Sequence, residues 1–361
     1  MTKEEQLIVS WIKNNPKMSA QKIHNGMSSF YNKEDFDISV ATLKRRLSNL
    51  KGKNLVISTG KGSGLKYFVS PEYQFIYPID SNEYFSNDDR KGNERFNFEL
   101  IETLKTIRIF TDAELMELTT LQKEYEKNIS ILSDEVYKIE LERLSIDLTW
   151  KSSQIEGNTY TLLDTERLLK EKKTAEGKTL EEATMLLNHK VAIDFIISNS
   201  DIFEILTVRE IENIHYLLMK DLNVKPNIRT ELVGVLGTNY SPLDNEHQIR
   251  EALTKMCNLV NTRENVFDKA FLILVILSYI QAFMDGNKRV ARIVANGILI
   301  NQKYCPISFR TVEPSDYKKA MLIFYEQNNI SAFKEIFILQ FKYAVESYFR
   351  TSNSKVWSDN L

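Results

Sequence analysis

The stretch that most constrains this chain is residues 270–292, where an unbroken apolar run is followed at once by a turn and a basic helix start. The run AFLILVILSYI, from Ala270 to Ile280, is about half as long as a membrane-spanning helix must be. An apolar helix that is this short and has no polar face is typical of a buried core helix. The sequence therefore predicts a buried helix directly before residues 281–292.

Residues 281–292, QAFMDGNKRVAR, have the chemistry of a phosphate-binding loop. The Asp-Gly-Asn tripeptide at 285–287 is a strong turn signal, and a new helix is expected directly after it. The first backbone N–H groups of that helix have no partner within it, and glycine lets the backbone fold into an anion-binding concavity. Arg289 and Arg292 share a helix face, and Asp285 offers an oxygen ligand for Mg²⁺. For a bare DGNKR string, the alternative is a capped helix start with two surface arginines.

This stretch resembles the signature of the Fic family, HxFx(D/E)GNGRxxR, and six positions match at the right offsets: Phe283, Asp285, Gly286, Asn287, Arg289 and Arg292. The resemblance implies that the phenylalanine anchors the loop in the core and that the acidic residue binds Mg²⁺. It implies that the Gly-Asn segment and the first arginine hold phosphates, and that the second arginine holds the γ-phosphate of ATP. Asn287 and Arg289, with position 281, would form the catalytic set. The implied activity is that of a protein adenylyltransferase, which moves AMP from ATP to a Ser, Thr or Tyr hydroxyl of a target protein.

Two positions depart from the signature. Gln281 stands where the family has a histidine that acts as the general base, and a carboxamide has no useful proton affinity near neutral pH. Because a positioned base typically contributes ~10²–10⁴ in rate, we expect the chain as written to be catalytically impaired. Lys288 stands where the signature has a glycine. It adds positive charge beside the phosphates and would be one of the nucleotide-binding residues. A lysine there also occurs in the Doc-type branch, so phosphoryl transfer stays open as an alternative.

An inhibitory motif is expected far upstream of the loop, in the sequence SSQIEGN that begins at Ser152. Ser152, Glu156 and Gly157 match the (S/T)xxxE(G/N) motif of the family. Glu156 is predicted at the end of a helix (about 148–157) that glycine can close in the left-handed conformation. By resemblance, Glu156 pairs with Arg292 and excludes the γ-phosphate, which would make the inhibition intramolecular. Taken alone, the same residues would be an ordinary helix C-cap with an exposed glutamate.

The segment ELVGVLGTNYSP, at about 231–242, is predicted to be a small β-hairpin on the helical body. It falls where Fic proteins carry the flap, which pairs with an extended target segment by strand addition. By resemblance, Val235, Leu236 and Gly237 are the flap residues that present a target hydroxyl to the loop. Tyr317 stands where related proteins place an adenine-pocket tyrosine; a plain core residue is the alternative.

Composition and periodicity place these motifs on a mainly α-helical body. The 12 Gly and 7 Pro are too few for a β-rich chain. Helical periodicity dominates residues 96–350. The resemblance implies that these residues form a Fic-type helical bundle with a hairpin flap. Within it, one long amphipathic stretch is predicted over 112–147, followed by a separate helix at 148–156. Residues 351–361 are expected to be a tail.

Residues 1–75 form a separate predicted module. Helices near 4–14, 18–30 and 39–51, followed by a basic hairpin at 55–69, resemble a winged helix-turn-helix domain. The module carries twelve Lys or Arg against six Asp or Glu, a net charge of +6, whereas the whole chain carries −2. This charge favours contact with nucleic acid, and a protein-docking or dimerising module is the alternative.

The remaining features limit the possible functions and the expected location of the chain. Residues 76–95 are predicted to be a linker, because Ser, Asn and Asp are frequent there. The basic module at residues 1–75 supports a second hypothesis, in which the chain is a DNA-binding regulator whose Fic body only senses nucleotide or forms a homodimer. Cys257 and Cys305 give neither a disulfide framework nor metal-ligand spacing, and no secretory signal or membrane span is evident, so the cytoplasm is the expected location. By spacing, none of the four histidines replaces the missing base, and His215 is expected to be a satisfied core residue.

Overall fold

The structure, a computed structural model, describes residues 1–86, 90 and 92–350. The predicted tail at 351–361 lies outside the described residues. As expected, the described chain is mainly helical, with one small antiparallel sheet of two strands. No helix in the described part is both long enough and apolar enough to cross a membrane.

The first 75 residues contain three helices followed by a two-stranded sheet, in the order that the sequence predicted. The elements are α1 Lys3–Asn14, α2 Ala20–Phe30, α3 Val40–Gly52, β1 Val56–Thr59 and β2 Lys66–Val69. Each helix begins at a hydroxyl side chain that caps a backbone N–H: Thr2, Ser19 and Ser39. Buried aliphatic residues on the inner faces of the three helices, such as Ile8, Ile23 and Leu43, form a small core.

The rest of the described chain is a helical body built around one central pair of helices. Its elements are α4 Tyr73–Ile76, α5 Ser81–Phe85, α6 Leu100–Leu104, α7 Asp112–Ile129, α8 Asp134–Ile155, α9 Leu162–Glu171, α10 Leu180–Ser198, α11 Val208–Met219, α12 Glu246–Thr262, α13 Val266–Ile280, α14 Asn287–Asn301, α15 Pro314–Gln327 and α16 Ser331–Ser347. Helices α13 and α14 pack along each other, and α8, α10 and α11 pack against α14. Every residue from Ala270 to Ile280 is fully buried, so the predicted core helix is confirmed.

The predicted boundary between two helices at 147/148 is wrong. The chain turns earlier, at residues 130–133, and the side chain of Ser133 caps α8 by accepting from the N–H of Val136 at 3.3 Å. Helix α8 then continues without a break to Ile155. Because Ser145, Ser152 and several of their neighbours are small polar residues that are nevertheless buried, the helix loses its amphipathic period there, and that loss looked like a boundary.

The predicted linker at 76–95 is packed against the body wherever the structure describes it. Residues 87–89 and 91 lie outside the described residues. The hydroxyl of Tyr84 in α5 donates to the carboxylate of Glu326 at 2.7 Å, and the N–H of Asn93 donates to the Glu326 carbonyl at 2.6 Å. The segment was predicted as a linker because its residues are polar, but several of those polar groups bind α15.

The predicted hairpin at 231–242 does not form strands. The segment is extended, with one turn at 236–238. Instead of pairing with its own first half, its second half meets the chain near residue 94, where the N–H of Ser241 donates to the carbonyl of Glu94 at 2.9 Å and Ser241 forms a parallel bridge with Arg95. An isolated two-stranded hairpin is only marginally stable, and here the distant segment supplies the pairing.

Candidate functional site

Two residues with left-handed backbone shape the loop between α13 and α14. Gln281 ends α13 with φ +51°, and Gly286 precedes α14 with φ +84°. A Cβ at position 286 would lie 2.4 Å from Cε of Met219, so both the backbone angle and the space favour glycine. Asn287 then closes the turn, since its Oδ1 accepts from the N–H of Phe283 at 2.9 Å and its Nδ2 donates to the Phe283 carbonyl at 2.8 Å.

Phe283 anchors the loop to α11. Its ring is fully buried and stacks on the imidazole of His215, with ring centroids 3.8 Å apart and planes 6° from parallel. One ring nitrogen of His215 lies 3.0 Å from the carbonyl oxygen of Pro226, and the other lies 3.0 Å from that of Asp285. Burial lowers the pKa of His215. The histidine is a satisfied core residue, as expected, and it also fixes the loop backbone at Asp285.

The side chain of Gln281 is committed to local hydrogen bonds. Its Nε2 donates to the carbonyl of Ser278 at 2.7 Å and to the hydroxyl of Tyr325 at 3.3 Å. Its Oε1 accepts from Nδ2 of Asn287 at 3.1 Å. The residue is only 9% exposed. The amide therefore supports the loop, and it offers no proton acceptor of useful basicity at this position.

Arg229 is a site residue that sequence reasoning missed. It is buried, and it joins the loop to the extended segment through three main-chain carbonyls: those of Gln281 at 2.6 Å, Glu231 at 2.8 Å and Leu243. Its own N–H donates to the carbonyl of Ala282 at 3.0 Å. Because every amino acid supplies a carbonyl, no side-chain pattern could have indicated these partners.

Arg289 and Asp285 form an ion pair at the mouth of the loop. Nη2 of Arg289 lies 2.7 Å from Oδ2 of Asp285, whose Oδ1 accepts from the N–H of Gly286 at 2.6 Å. The arginine is 1% exposed, whereas the aspartate side chain is 59% exposed. The carboxylate therefore faces solvent while the guanidinium lies beneath it.

The structure brings the predicted inhibitory motif against the start of α14. Nη2 of Arg292 donates to Oε1 of Glu156 at 2.7 Å and to the carbonyl of Ser152 at 3.0 Å, and its Nε donates to the Ser152 hydroxyl at 2.8 Å. Lys288 donates to the other oxygen of Glu156 at 2.9 Å. Gly157 follows with φ +103°, a conformation that favours glycine. The exposed C-cap glutamate of the alternative interpretation is not observed, because Glu156 is held between two cations.

Electrostatics keep Glu156 ionised. Burial alone would raise the pKa of this carboxyl, but the charges of Arg292 and Lys288 and their hydrogen bonds outweigh burial and lower the pKa to about 2. A partly buried carboxylate with two cationic partners is strongly bound in place. The contact between α8 and α14 is therefore a charged, hydrogen-bonded junction.

Acid should weaken this junction. Since folding lowers the pKa of Glu156 from 4.5 to about 2, its stabilising contribution is complete above pH 4.5 and is lost as the pH falls towards 2. We expect the difference in urea midpoint between the unmodified chain and Glu156→Gln to narrow over that range. Glu166→Gln, which removes an exposed glutamate paired with Lys170, is the control. A difference that stays constant from pH 6 to pH 3 would contradict the assignment.

Several buried polar groups at this site have no hydrogen-bond partner among the described residues. They are Nε and Nη1 of Arg289, Nη1 of Arg292, the hydroxyl of Tyr317 and both ring nitrogens of His189. Burial lowers the pKa of His189 well below its usual value, and the charges of Arg292 and Arg289 lower it further. Unsatisfied buried donors are costly, and here they cluster beside the first turn of α14. The arrangement suits an anionic ligand.

Tyr317 does not line an open adenine pocket in this conformation. Its ring is fully buried, with the Arg292 guanidinium carbon 5.0 Å from the ring centroid and with Phe333 and Phe309 at its edges. A cation that rests on an aromatic face is held there by the ring quadrupole. Tyr317 therefore supports Arg292, which agrees with the core interpretation.

The predicted flap residues lie on the exposed part of the extended segment. Leu236 is 97% exposed, Val235 is half-buried, and Gly237 has φ +87°. Within the described residues, the backbone from Leu232 to Leu236 makes no hydrogen bond. The segment therefore presents an unpaired edge.

Comparisons with known proteins match part of this chain to a family. Residues 205–299 match the sequence model of the Fic/DOC family. The protein adenylyltransferase Fic of Nematostella vectensis is 27% identical over 174 residues, which cover 46% of this chain and 40% of that protein. The chain thus matches less than half of the length of that curated relative.

Solved structures share the fold. Fic-1 from C. elegans aligns with a TM-score of 0.57 at 15% identity over 65% of this chain and 70% of that one. A Fic domain containing signaling protein from Bacteroides thetaiotaomicron VPI-5482 aligns with a TM-score of 0.53 at 20% identity over 64% of this chain and 97% of that one. The chain therefore carries a Fic/DOC family domain at residues 205–299, within a helical body that has the Fic fold.

Proposed function

We propose that this chain is an adenylyltransferase-type Fic protein that binds ATP at the 281–292 loop and is held inactive by Glu156. The observation that carries the proposal is a set of guanidinium donors of Arg289 and Arg292 that have no partner among the described residues, beside the Glu156 carboxylate that accepts from Nη2 of Arg292. Phosphate oxygens are the partners that such donors prefer. The homology with a protein named adenylyltransferase supports the same reaction.

The phosphates would lie against the first turn of α14. The N–H groups of Asn287, Lys288 and Arg289 have no helical carbonyl four residues before them, and they carry the positive end of the helix dipole. Gly286 has no side chain to obstruct that approach. The buried Arg289 donors lie beneath the same turn. This combination favours a polyphosphate over a single carboxylate ligand.

Asp285 fits a role as the single protein ligand of Mg²⁺. Its carboxylate is largely exposed, and each oxygen accepts only one hydrogen bond, so lone pairs remain. The described residues contain no group of three His, Cys, Asp or Glu that could hold a metal by themselves. Mg²⁺ often binds through one carboxylate plus phosphate oxygens and waters, and it would neutralise charge on the phosphates.

In the proposed reaction, a target hydroxyl attacks the α-phosphorus, a new O–P bond forms, and the bond to the β-phosphate oxygen breaks to release pyrophosphate. The hydroxyl must lose its proton as the bond forms. Gln281 stands where a base would take that proton, but its amide cannot accept it, so the proton passes to solvent. We therefore expect Gln281 to slow the transfer step without itself weakening nucleotide binding.

Glu156 would act as the intramolecular brake. It occupies Nη2 of Arg292 and the ammonium group of Lys288, two donors that a γ-phosphate would otherwise use. Release of Glu156 frees both cations at once. Lys288 is then available to the nucleotide, which is the role that the sequence predicted for it.

The target would bind at the extended segment. The backbone from Leu232 to Leu236 has no partner within the described residues, so it can pair with an extended peptide. Leu236 and Leu232 are exposed apolar side chains beside that edge. Arg229 ties this segment to Gln281, which would place a bound hydroxyl near the loop.

Labelled ATP tests the proposal. In the full chain with Gln281→His and Glu156→Gly, label from the α-phosphate should appear on protein, and label from the γ-phosphate should not. Transfer of the γ-label instead would support the Doc-like phosphoryl transfer that Lys288 left open. If neither label is transferred, the transferase proposal is wrong.

A second candidate function concerns residues 1–75. Lys44 and Arg45 are exposed on α3, and Lys61 and Lys66 are exposed on or beside the two-stranded sheet; none of them has an ion-pair partner among the described residues. A recognition helix and a basic hairpin tip of this kind suit contact with DNA phosphates.

This DNA proposal predicts a salt-dependent affinity. In gel-shift titrations of the full chain with duplex DNA, replacing both Lys44 and Arg45 by alanine should reduce the slope of log affinity against log salt by about 2, since each lost phosphate contact removes about one unit. Replacing Arg46, which pairs with Glu4, should change the slope less. An absent or salt-independent affinity would rule the DNA proposal out.

A further inference from the structure

Arg90 reaches from the segment after α5 to the turn of the flap. Its Nη2 donates to the carbonyl of Gly237 at 2.5 Å, and the same guanidinium pairs with Glu326 through Nε at 3.1 Å. Within the described residues, this is the only hydrogen bond to a backbone atom between Leu232 and Gly237. The position of the turn therefore depends on a residue about 150 positions away in sequence.

Glu326 holds that arginine from the opposite side. It lies on α15, is 5% exposed, and accepts from the hydroxyl of Tyr84 at 2.7 Å as well as from Arg90. The adjacent ring of Phe85 lies 4.8 Å from the Arg90 guanidinium carbon. A buried carboxylate that is bound twice is a rigid support, so Arg90 has little freedom to leave Gly237.

The backbone near Arg90 supports the same arrangement. A Cβ at position 92 would lie 2.5 Å from Cβ of Glu326, so only glycine allows this close approach. Two residues later, the carbonyl of Glu94 accepts from the N–H of Ser241, which fixes the second half of the flap. Residues 90 and 92–95 thus form the rear wall of the flap.

Helix α15 connects this wall to the catalytic loop. Tyr325, the neighbour of Glu326, contacts the side chain of Gln281, and Tyr317 on the same helix supports Arg292. Because α15 makes all three contacts, it holds the flap turn and the loop in fixed positions relative to each other.

We propose that Arg90 is a positioning residue for target binding: clamped by Glu326, it holds the Gly237 carbonyl and so sets the flap edge on which an extended target peptide pairs. The proposal rests on the target-binding role given to the flap above. It assigns Arg90 no contact with nucleotide or with the reacting atoms. It predicts that the flap, and not the loop, loosens when Arg90 is changed.

Hydrogen–deuterium exchange of the full chain tests this inference. In Arg90→Gln, exchange at the amides of Tyr240 and Ser241, which donate to the Thr238 hydroxyl and to the Glu94 carbonyl, should become at least tenfold faster, while α13 and α14 keep their protection. Arg167→Gln, which removes an exposed arginine that pairs with Glu171 on α9, is the matched control and should leave the flap unchanged. Glu326→Gln should loosen the flap in the same direction.

The conservative variant separates positioning from simple stability. Lys at position 90 keeps a charge for Glu326 but lacks the second arm that reaches Gly237, so Arg90→Lys should retain the melting temperature and still show a faster-exchanging flap. Flap exchange equal to that of the unmodified chain in both Arg90 variants would overturn the inference. So would a uniform increase over α13 and α14. The hydrogen–deuterium exchange measurement requires neither ATP nor AMP transfer. Its result can therefore be interpreted even if the proposed function is wrong.

Discussion

Replacing Glu156 by glycine should raise the affinity of the full chain for ATP with Mg²⁺ by about 10- to 100-fold. In the structure, this carboxylate takes Nη2 of Arg292 and the ammonium group of Lys288. Its removal returns both donors to the phosphates, and one charge-assisted hydrogen bond contributes about 1.5–3 kcal/mol. Isothermal titration of the two proteins measures the change.

Replacing Glu156 by glycine should also lower the stability of the nucleotide-free chain. Arg292 is fully buried, and removing its carboxylate partner leaves an uncompensated charge, which typically costs about 3–5 kcal/mol. Without nucleotide, the variant should melt at a lower temperature, and saturating ATP should recover much of the loss. Glu166→Gln is the surface control. If Glu156→Gly binds ATP no better than the unmodified chain, the inhibitory role is wrong.

Placing a histidine at position 281 should produce the largest gain in rate. In the Glu156→Gly background, Gln281→His should increase α-label transfer by about 10²- to 10⁴-fold, since a positioned base contributes that factor. Around position 281, Asn287 closes the loop, and Arg289 has donors without a partner among the described residues, which is the arrangement that the proposed transfer needs. Initial rates with labelled ATP measure the effect.

Two controls make this result specific. Gln281→Asn keeps an amide and should stay as slow as the parent. ATP affinity should differ little between the histidine and glutamine forms, because the change affects proton transfer rather than phosphate binding. An equal rate for all three residues at position 281 would show that this position is not the base.

The loop could be predicted from sequence because short-range rules determine it, whereas the contact between Glu156 and Arg292 was expected only from the resemblance to the Fic family. Gly286 is required by a left-handed backbone and by Met219, and Arg289 and Arg292 follow at fixed helical offsets. Glu156 precedes a glycine that ends its helix. Such features depend on residue type and spacing, which a single sequence displays.

The parts that were missed depend on contacts between distant segments. Arg229 binds carbonyls, which have no sequence signature, and Arg90 finds Glu326 more than 230 positions away. The flap was predicted as a self-paired hairpin, although its second half pairs near Glu94. Local β-propensity at 231–242 was real, but it did not specify the pairing partner.

Tyr317 also shows that a single sequence does not specify which groups a side chain contacts. Its position after the loop indicated a base-stacking role, whereas the fold uses its ring to support Arg292 from below. Both roles need an aromatic residue at the same spacing. Only the packing of α15 against α13 and α8 distinguishes them.

A crystal structure of the Glu156→Gly protein with ATP and Mg²⁺ tests the central claim most directly. The account predicts phosphate oxygens within hydrogen-bond distance of Arg289 Nη1 and Arg292 Nη1, which have no partner among the described residues, and a metal ion bound to Asp285. Nucleotide bound elsewhere, with these two guanidinium groups still lacking partners, would contradict it.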